Sequence, residues 1–332
     1  MRCKYPTVFD RRFPDAPQPC GQCLHCRINK RRTWAHRIVL ESLNHTSNSF
    51  VTLTYRPEDM PGEFMHPETG QIFAAGSVNP WHHETFMKDL RYHFMKETGK
   101  TVRFYAIGEY GDKLERPHYH YALFGFPRCS DGARYVGHRF IPCGCPSCKF
   151  LSDRWQKGNI FAGDLTLESA SYIAEYVNKK LTTASDYRQD GYYGLTNAQK
   201  LRGRHPEFPR MSTRPGIAAW AADSAASQLA FYKKLGDIEI PHAFNHAGKS
   251  LPLGRYLSDR IHAKMGYQFE EGERIRAYAQ SLRSLLSSPE TRKSLPQGYL
   301  GSSVASKLTF LNSQYSVDLA AKTQLFTKAH RI

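Results

Sequence analysis

Nowhere in these 332 residues does an apolar run approach the roughly 18 residues that a membrane-crossing helix needs, and residues 1 to 19 lack the apolar core of a secretion signal. Acidic residues are scarce as well: 30 Asp and Glu stand against 46 Lys and Arg, a formal net charge of +16. That balance points to a polyanionic partner, nucleic acid before a membrane surface. No internal repeat is found, which sets aside solenoids and arrays. Eight cysteines are present, but they cluster and no secretion signal accompanies them. A disulfide scaffold is therefore disfavoured, and the expectation is a soluble protein of a reducing, cytoplasmic compartment. Nineteen Tyr and nineteen Phe suit stacking on unpaired bases, and equally suit an ordinary core.

Along the chain, residues 1–48 form a basic, cysteine-rich segment running into a helix from Arg27 to Leu43. The early turns of that helix carry Arg27, Lys30, Arg31 and Arg32, a solvated face or a phosphate track. Residues 49–185 read as the central domain. Ser49–Tyr55 is a strand, Trp81–Thr98 a helix with Phe86, Leu90 and Phe94 on its apolar side, and Thr101–Tyr110 a second strand. A hairpin-like connection through Gly111-Asp112-Lys113 leads to a strand at Pro117–Phe124. Residues 128–157, with Cys129 and Cys143-Gly144-Cys145-Pro146-Ser147-Cys148, read as an insertion. A strand from Asn159 and a helix from Leu167 to Leu181 follow. This order predicts an α+β fold, a central antiparallel sheet with flanking helices. Residues 186–332 are expected to be mainly helical, with Ile217–Leu235 and Arg255–Leu286 as helices, the latter interrupted at Gly266 and Gly272. Tyr187–Pro215 is expected to loop across the surface.

Two stretches carry chemistry. In the strand Pro117-His118-Tyr119-His120-Tyr121, alternation sends His118 and His120 to one face, about 7 Å apart along the chain. Such a pair can share a divalent metal or be two polar residues on a half-exposed strand. In the helix Ser171-Tyr172-Ile173-Ala174-Glu175-Tyr176-Val177-Asn178-Lys179-Lys180, Tyr172 and Tyr176 lie about 40° apart and one turn above each other. Lys179 falls between them in azimuth, and Lys180 lies a turn beyond Tyr176. The two phenols form a nucleophile platform or pack the helix onto the sheet.

The combination of a His-x-His strand with a following Tyr-x-x-x-Tyr-x-x-Lys helix resembles the HUH endonuclease superfamily. More narrowly, the chain resembles the two-tyrosine rolling-circle replication initiators of microviruses, the gokushovirus group above all. Pro19-Cys20-Gly21-Gln22-Cys23, Cys26-Arg27-Ile28-Asn29, Phe50–Tyr55, Gly108-Glu109-Tyr110-Gly111 and Met211–Gly216 fit that pattern, over roughly residues 19 to 220. Tyr119 departs from it, standing where the family's name implies a bulky hydrophobe between the histidines.

The resemblance implies an HUH/RRM-like nuclease core and a metal-dependent, site-specific DNA endonuclease and strand transferase. It implies Tyr172 and Tyr176 as nucleophiles, Lys179 at the family's spacing with Lys180 as the fallback, and Mg2+ or Mn2+ on His118 and His120. Because two imidazoles rarely suffice for a hard cation, a carboxylate is wanted as a third ligand. Glu109, ending the preceding strand, is the first choice and Glu115 the second. The implied partners are single-stranded or melted origin DNA and the host helicase and replication machinery, in the cytoplasm of a bacterial host. Cys20-x-x-Cys23-x-x-Cys26 and Cys143-x-Cys145-x-x-Cys148 offer a structural zinc site, with Cys20, Cys23, Cys145 and Cys148 expected to join the N-terminal segment to the insertion. An iron–sulfur cluster and free thiols remain open for these residues. Two other readings of the chain stay open: an HUH transposase or relaxase, and a zinc-stabilised, non-catalytic nucleic-acid-binding protein.

Overall fold

A computed structural model describes residues 3–313 except 22, 112, 133, 137–138, 180–201, 234–239, 247 and 268–271. The elements run α1 (Leu24–Leu43), β1 (Asn48–Thr54), β2 (Phe64–Met65), β3 (Ile72–Phe73), α2 (Pro80–Thr98), β4 (Arg103–Tyr110) and β5 (Pro117–Phe124). Next come β6 (Arg134–Val136), β7 (Arg139–Ile141), α3 (Pro146–Trp155), β8 (Ile160–Asp164) and α4 (Leu167–Lys179). The remaining elements are β9 (Phe208–Met211), α5 (Ala219–Lys233), β10 (Ala243–His246), β11 (Lys249–Pro252), α6 (Gly254–Lys264), α7 (Glu273–Ser287), α8 (Pro289–Ser294) and α9 (Val304–Ser313).

The chain divides into two compact units. The larger holds the described residues of Lys30–Tyr187 and Tyr193–Gly266. Its centre is a five-stranded sheet of order β8-β1-β5-β4-β9, every neighbouring pair antiparallel. The expected α+β architecture is what the chain adopts.

Both faces of the sheet are covered, which is why β5 is buried along nearly its whole length instead of alternating. On one face the odd residues of β5, Tyr119, Tyr121 and Leu123, join Val51 and Leu53 of β1, Phe86, Leu90 and Phe94 of α2, and Leu151 and Trp155 of α3. On the other, Ala122 and Phe124 join Ile38 of α1, Ile173 of α4, Ala222 of α5 and Leu257 of α6. The period-2 rule of a strand thus assigns His118 and His120 to the α4 side of the sheet. The residue between them, Tyr119, belongs to the α2–α3 side.

Local chemistry explains the elements that hold this arrangement. Asn79 caps α2 by accepting from the Trp81 amide, Pro80 occupies the first turn, and Gly99 ends the helix in the left-handed conformation. Residues 83, 86, 87, 90 and 94 of α2 are buried, the i, i+3, i+4, i+7 stripe that a helix turns to a sheet. In β4, a Cβ on Gly108 would stand 2.9 Å from the Phe208 ring and 3.2 Å from Tyr119, so the glycine makes room for two aromatic rings.

Residues 208–211, expected within a surface loop, instead form β9, paired with β4. Pro209 obscures the strand in the sequence. It is tolerated because β9 lies at the sheet's edge, where a missing N–H on the open side breaks no ladder. The helical signal from 255 to 286 is interrupted as expected, at Gly266 and Gly272, giving α6 and α7.

The smaller unit contains the described residues of Met1–Asn29 and Tyr267–Ile332. Its N-terminal arm is fixed to α7 and α9. The Arg283 guanidinium pairs with Asp15 at 2.5 Å, the Tyr278 hydroxyl donates to the Pro17 carbonyl, and the Asn312 amide donates to the Cys3 carbonyl at 2.6 Å.

Candidate metal centre

Strand register decides which carboxylate meets the histidines. In the β4–β5 hairpin, closed by the Gly111 amide donating to the Arg116 carbonyl, Glu109 pairs with His118 and Ile107 with His120. Directly paired residues of antiparallel strands project to the same side. Glu109 Oε1 consequently lies 2.8 Å from His118 Nε2 and 3.0 Å from His120 Nε2. One oxygen and two ring nitrogens converge as a possible ligand set for an ion. Glu115, the second choice, is exposed and pairs with Arg204 at 2.9 Å; it takes no part in this group.

The other ring nitrogens are held from behind. His118 Nδ1 lies 3.0 Å from the Arg116 carbonyl, an acceptor that keeps the ring proton on Nδ1. His120 Nδ1 lies 2.8 Å from Thr52 Oγ1, its register partner on β1. Both lone pairs on Nε2 are thereby turned toward Glu109, the arrangement found behind histidine metal ligands. Burial lowers the pKa of His118, but the hydrogen bond and charge of Glu109 and the Arg116 carbonyl outweigh it, and the net shift is upward. Glu109 Oε2 is buried with no hydrogen-bond partner among the described residues. An unsatisfied buried carboxylate oxygen is costly. A divalent cation bound by Glu109, His118 and His120 would remove that cost, so the donor set of two imidazoles and a carboxylate fits such an ion.

Tyr172, on α4, brings a phenol to the same place. Its ring stands edge-on to His120 at 5.2 Å between centroids and to Phe50 at 6.1 Å, and the residue is 42% exposed. Phe50 in turn stacks on His120 at 5.6 Å. The side chains of Tyr176 and Lys179, farther along α4, lie outside the described residues, as does Lys180 altogether. From the basic run of α1, Arg31 bridges Glu175 of α4 at 3.4 Å and Arg32 donates to the Ser250 carbonyl. These two arginines hold neighbouring elements together, a role the charge run alone does not reveal.

Thr52 and Phe50 escape sequence reasoning. The alternation of Phe50-Val51-Thr52-Leu53 puts both on one face, but only the β1–β5 register shows that this is the histidine face.

The cysteines expected as one set separate. Cys20 and Cys23 stand with Cys3 and Cys26, whereas Cys145 and Cys148 stand with Cys129 and Cys143.

Residues 48–181, from β1 through α4, match a family model described as that of the replication-associated protein ORF2. The chain is similar to the replication-associated protein VP4 of Bdellovibrio phage phiMH2K, 32% identical over 55% of this chain and 54% of that protein. It is also similar to the replication-associated protein ORF2 of Spiroplasma virus 4, 35% identical over 51% of this chain and 50% of that protein. The replication-associated protein ORF4 of Chlamydia phage 1 is 27% identical over 51% of this chain and 40% of that protein. The chain thus spans about half the length of the curated relatives it matches, or less. No solved structure matches. The resemblance to phage replication-associated proteins, read from the His and Tyr motifs, holds.

Proposed function

We propose that this chain initiates rolling-circle replication of a phage genome by nicking one strand of its origin and later religating the product circle. The observation that carries the reading is the convergence of Glu109, His118 and His120 beneath the ring of Tyr172. The relatives named as replication-associated proteins of phages support it.

A phosphodiester resists attack because its negative charge repels nucleophiles. Mg2+ or Mn2+ bound by His118, His120 and Glu109 would offset that charge and orient the scissile phosphate. The chain's own part is the nucleophile. The Tyr172 oxygen, or that of Tyr176 a turn later, attacks phosphorus and loses its proton. The bond from phosphorus to the 3′ oxygen breaks, and that oxygen takes up a proton. The products are a 5′-phosphotyrosine and a 3′-hydroxyl that primes synthesis. A free phenol has a pKa of about 10, so the attacking oxygen needs a nearby positive charge; Lys179 is the first candidate and Lys180 the second. A second tyrosine lets the cycle close. It cleaves the regenerated origin, and the new 3′-hydroxyl attacks the first phosphotyrosine to release a circle.

In this reading the partners are single-stranded or melted origin DNA and the host's helicase and polymerase, in the cytoplasm of a bacterial host. The net charge of +16 suits such a substrate. Among the described residues no helix is long and apolar enough to cross a membrane.

The test is incubation with an end-labelled single-stranded origin oligonucleotide and Mn2+. A covalent protein–DNA adduct is expected, lost in the Tyr172→Phe/Tyr176→Phe double variant. Persistence of the adduct in that variant overturns the tyrosine assignment. Salt-sensitive binding without any adduct in the unaltered chain would instead indicate a non-catalytic DNA-binding protein.

A further inference from the structure

Eight cysteines occur in this chain, and the fold gathers all of them into two fours. Cys3, Cys20, Cys23 and Cys26 form one group, all buried; Cys129, Cys143, Cys145 and Cys148 form the other. Within each group the sulfur atoms lie within 4.8 Å of one another. The separations of Cys3 from Cys23, Cys129 from Cys143 and Cys129 from Cys145 are 3.9, 3.4 and 3.8 Å. These are far beyond the roughly 2.05 Å of a disulfide, and all eight thiols are free. They match the edge of a tetrahedron whose centre lies about 2.3 Å from each corner, an edge of roughly 3.8 Å and the geometry of four thiolates around one zinc ion. An iron–sulfur cluster distributes its thiolates over several irons and needs a wider frame.

The surroundings of each group suit charged sulfur. In the first, the Cys20 amide donates to Cys3 Sγ at 3.2 Å, the Cys23 amide to Cys20 Sγ at 3.3 Å and the Lys4 amide to Cys23 Sγ at 3.4 Å. In the second, the Gly132 amide donates to Cys129 Sγ at 3.1 Å and the Cys145 amide to Cys143 Sγ at 3.4 Å. Cys145 caps the N-terminus of α3 and Cys148 lies in its first turn, where the helix dipole favours negative charge. Amide donors behind ligating sulfur are the outer shell expected of a metal–thiolate centre.

We infer that the chain binds two structural zinc ions, one held by Cys3, Cys20, Cys23 and Cys26 and the other by Cys129, Cys143, Cys145 and Cys148. Each works within its own unit. The first ties the N-terminal arm at Cys3 to the turn that starts α1. The second closes the excursion between β5 and α3, which contains the β6–β7 pair, and fixes α3 by its first turn. Trp155, at the far end of α3, donates to the Thr54 carbonyl and packs on Tyr55 and Tyr119 beneath the histidine strand. The second ion is therefore a support for the layer opposite the Glu109 centre.

The test is elemental analysis of the full chain, purified without added metal or chelator. Two zinc ions per chain are expected, with one remaining in Cys20→Ser/Cys23→Ser and one in Cys145→Ser/Cys148→Ser. Fewer than two zinc ions in the unaltered chain, iron with labile sulfide, or loss of all zinc from either double variant would each overturn the assignment. Thiol protection in the unaltered chain provides a check that does not depend on the variants folding. All eight cysteines should resist alkylation until a chelator is added; protection of only four, or of none, overturns the proposal. None of these readouts depends on DNA cleavage, so the zinc sites and the nuclease reading stand or fall separately.

Discussion

The hydroxyl of Thr52 meets Nδ1 of His120 at 2.8 Å, across the register of β1 and β5. It sets which way the imidazole faces. Replacing Thr52 by Val keeps the branched shape and removes the polar contact, leaving the ring free to choose its tautomer. Affinity for Mn2+ is expected to fall about 10- to 100-fold, the usual cost of losing a partner behind a histidine ligand. Isothermal titration of the two proteins with Mn2+ measures this, and equal affinities would remove Thr52 from the site.

Glu109→Gln keeps the size of the side chain and removes its charge. With a ligand lost, Mn2+ binding should weaken by more than about 100-fold, beyond the range for an outer-shell contact. Covalent adduct formation should fall with it, while the chain remains folded by circular dichroism. Unchanged Mn2+ affinity would show that the ion does not sit here.

Gly108→Ala places a methyl group 2.9 Å from the Phe208 ring and 3.2 Å from Tyr119. Overpacking of this kind costs about 1–3 kcal/mol. Because Phe208 belongs to the edge strand β9 and can give way, the expected loss lies near the lower end. Urea denaturation should show it as a lower midpoint with the same slope, and an unchanged midpoint would contradict the tight packing between β4 and β9.

Acid should destabilise the fold through His83. Burial, reinforced by the positive charge of Arg210, lowers its pKa to about 4, and Nδ1 lies 2.9 Å from the Tyr121 hydroxyl. Below about pH 6.5 the unfolded chain binds a proton at this histidine that the folded chain refuses until about pH 4. The folded-state pKa is depressed, so the contribution is whole above about pH 6.5 and is lost as pH falls toward about 4, a change of order 3 kcal/mol. His82 is lowered to about 4 by burial and the charge of Lys157 and acts in the same direction. Stability measured against pH should decline across this window, and His83→Gln should flatten the decline. An equally steep curve for the variant would exclude His83 as its source.

The metal centre is legible in the sequence where it depends on neighbours along the chain. His118 and His120 follow from strand alternation, and Glu109 follows from a short hairpin, because a tight connection leaves few registers. Thr52 is 68 residues from His120, and no local pattern specifies which strand lies beside which. β9 is hidden by Pro209, whose local preference is overruled by the open edge of β4. The cysteine spacings announce metal ligands but not their grouping. Cys3 and Cys129 stand outside the C-x-x-C runs, and the partition into two fours becomes visible only when the fold brings them in.

A sheet covered on both faces leaves its reactive groups in a well with a single mouth. Side-chain exposure falls from 16% at His118 to 6% at His120 and 1% at Glu109. The well therefore deepens along β5 from its Pro117 end, and an incoming phosphate would meet His118 first and Glu109 last. Such a shape admits a single extended backbone more readily than a rigid duplex, so melting of the DNA would come before cleavage as a matter of fit.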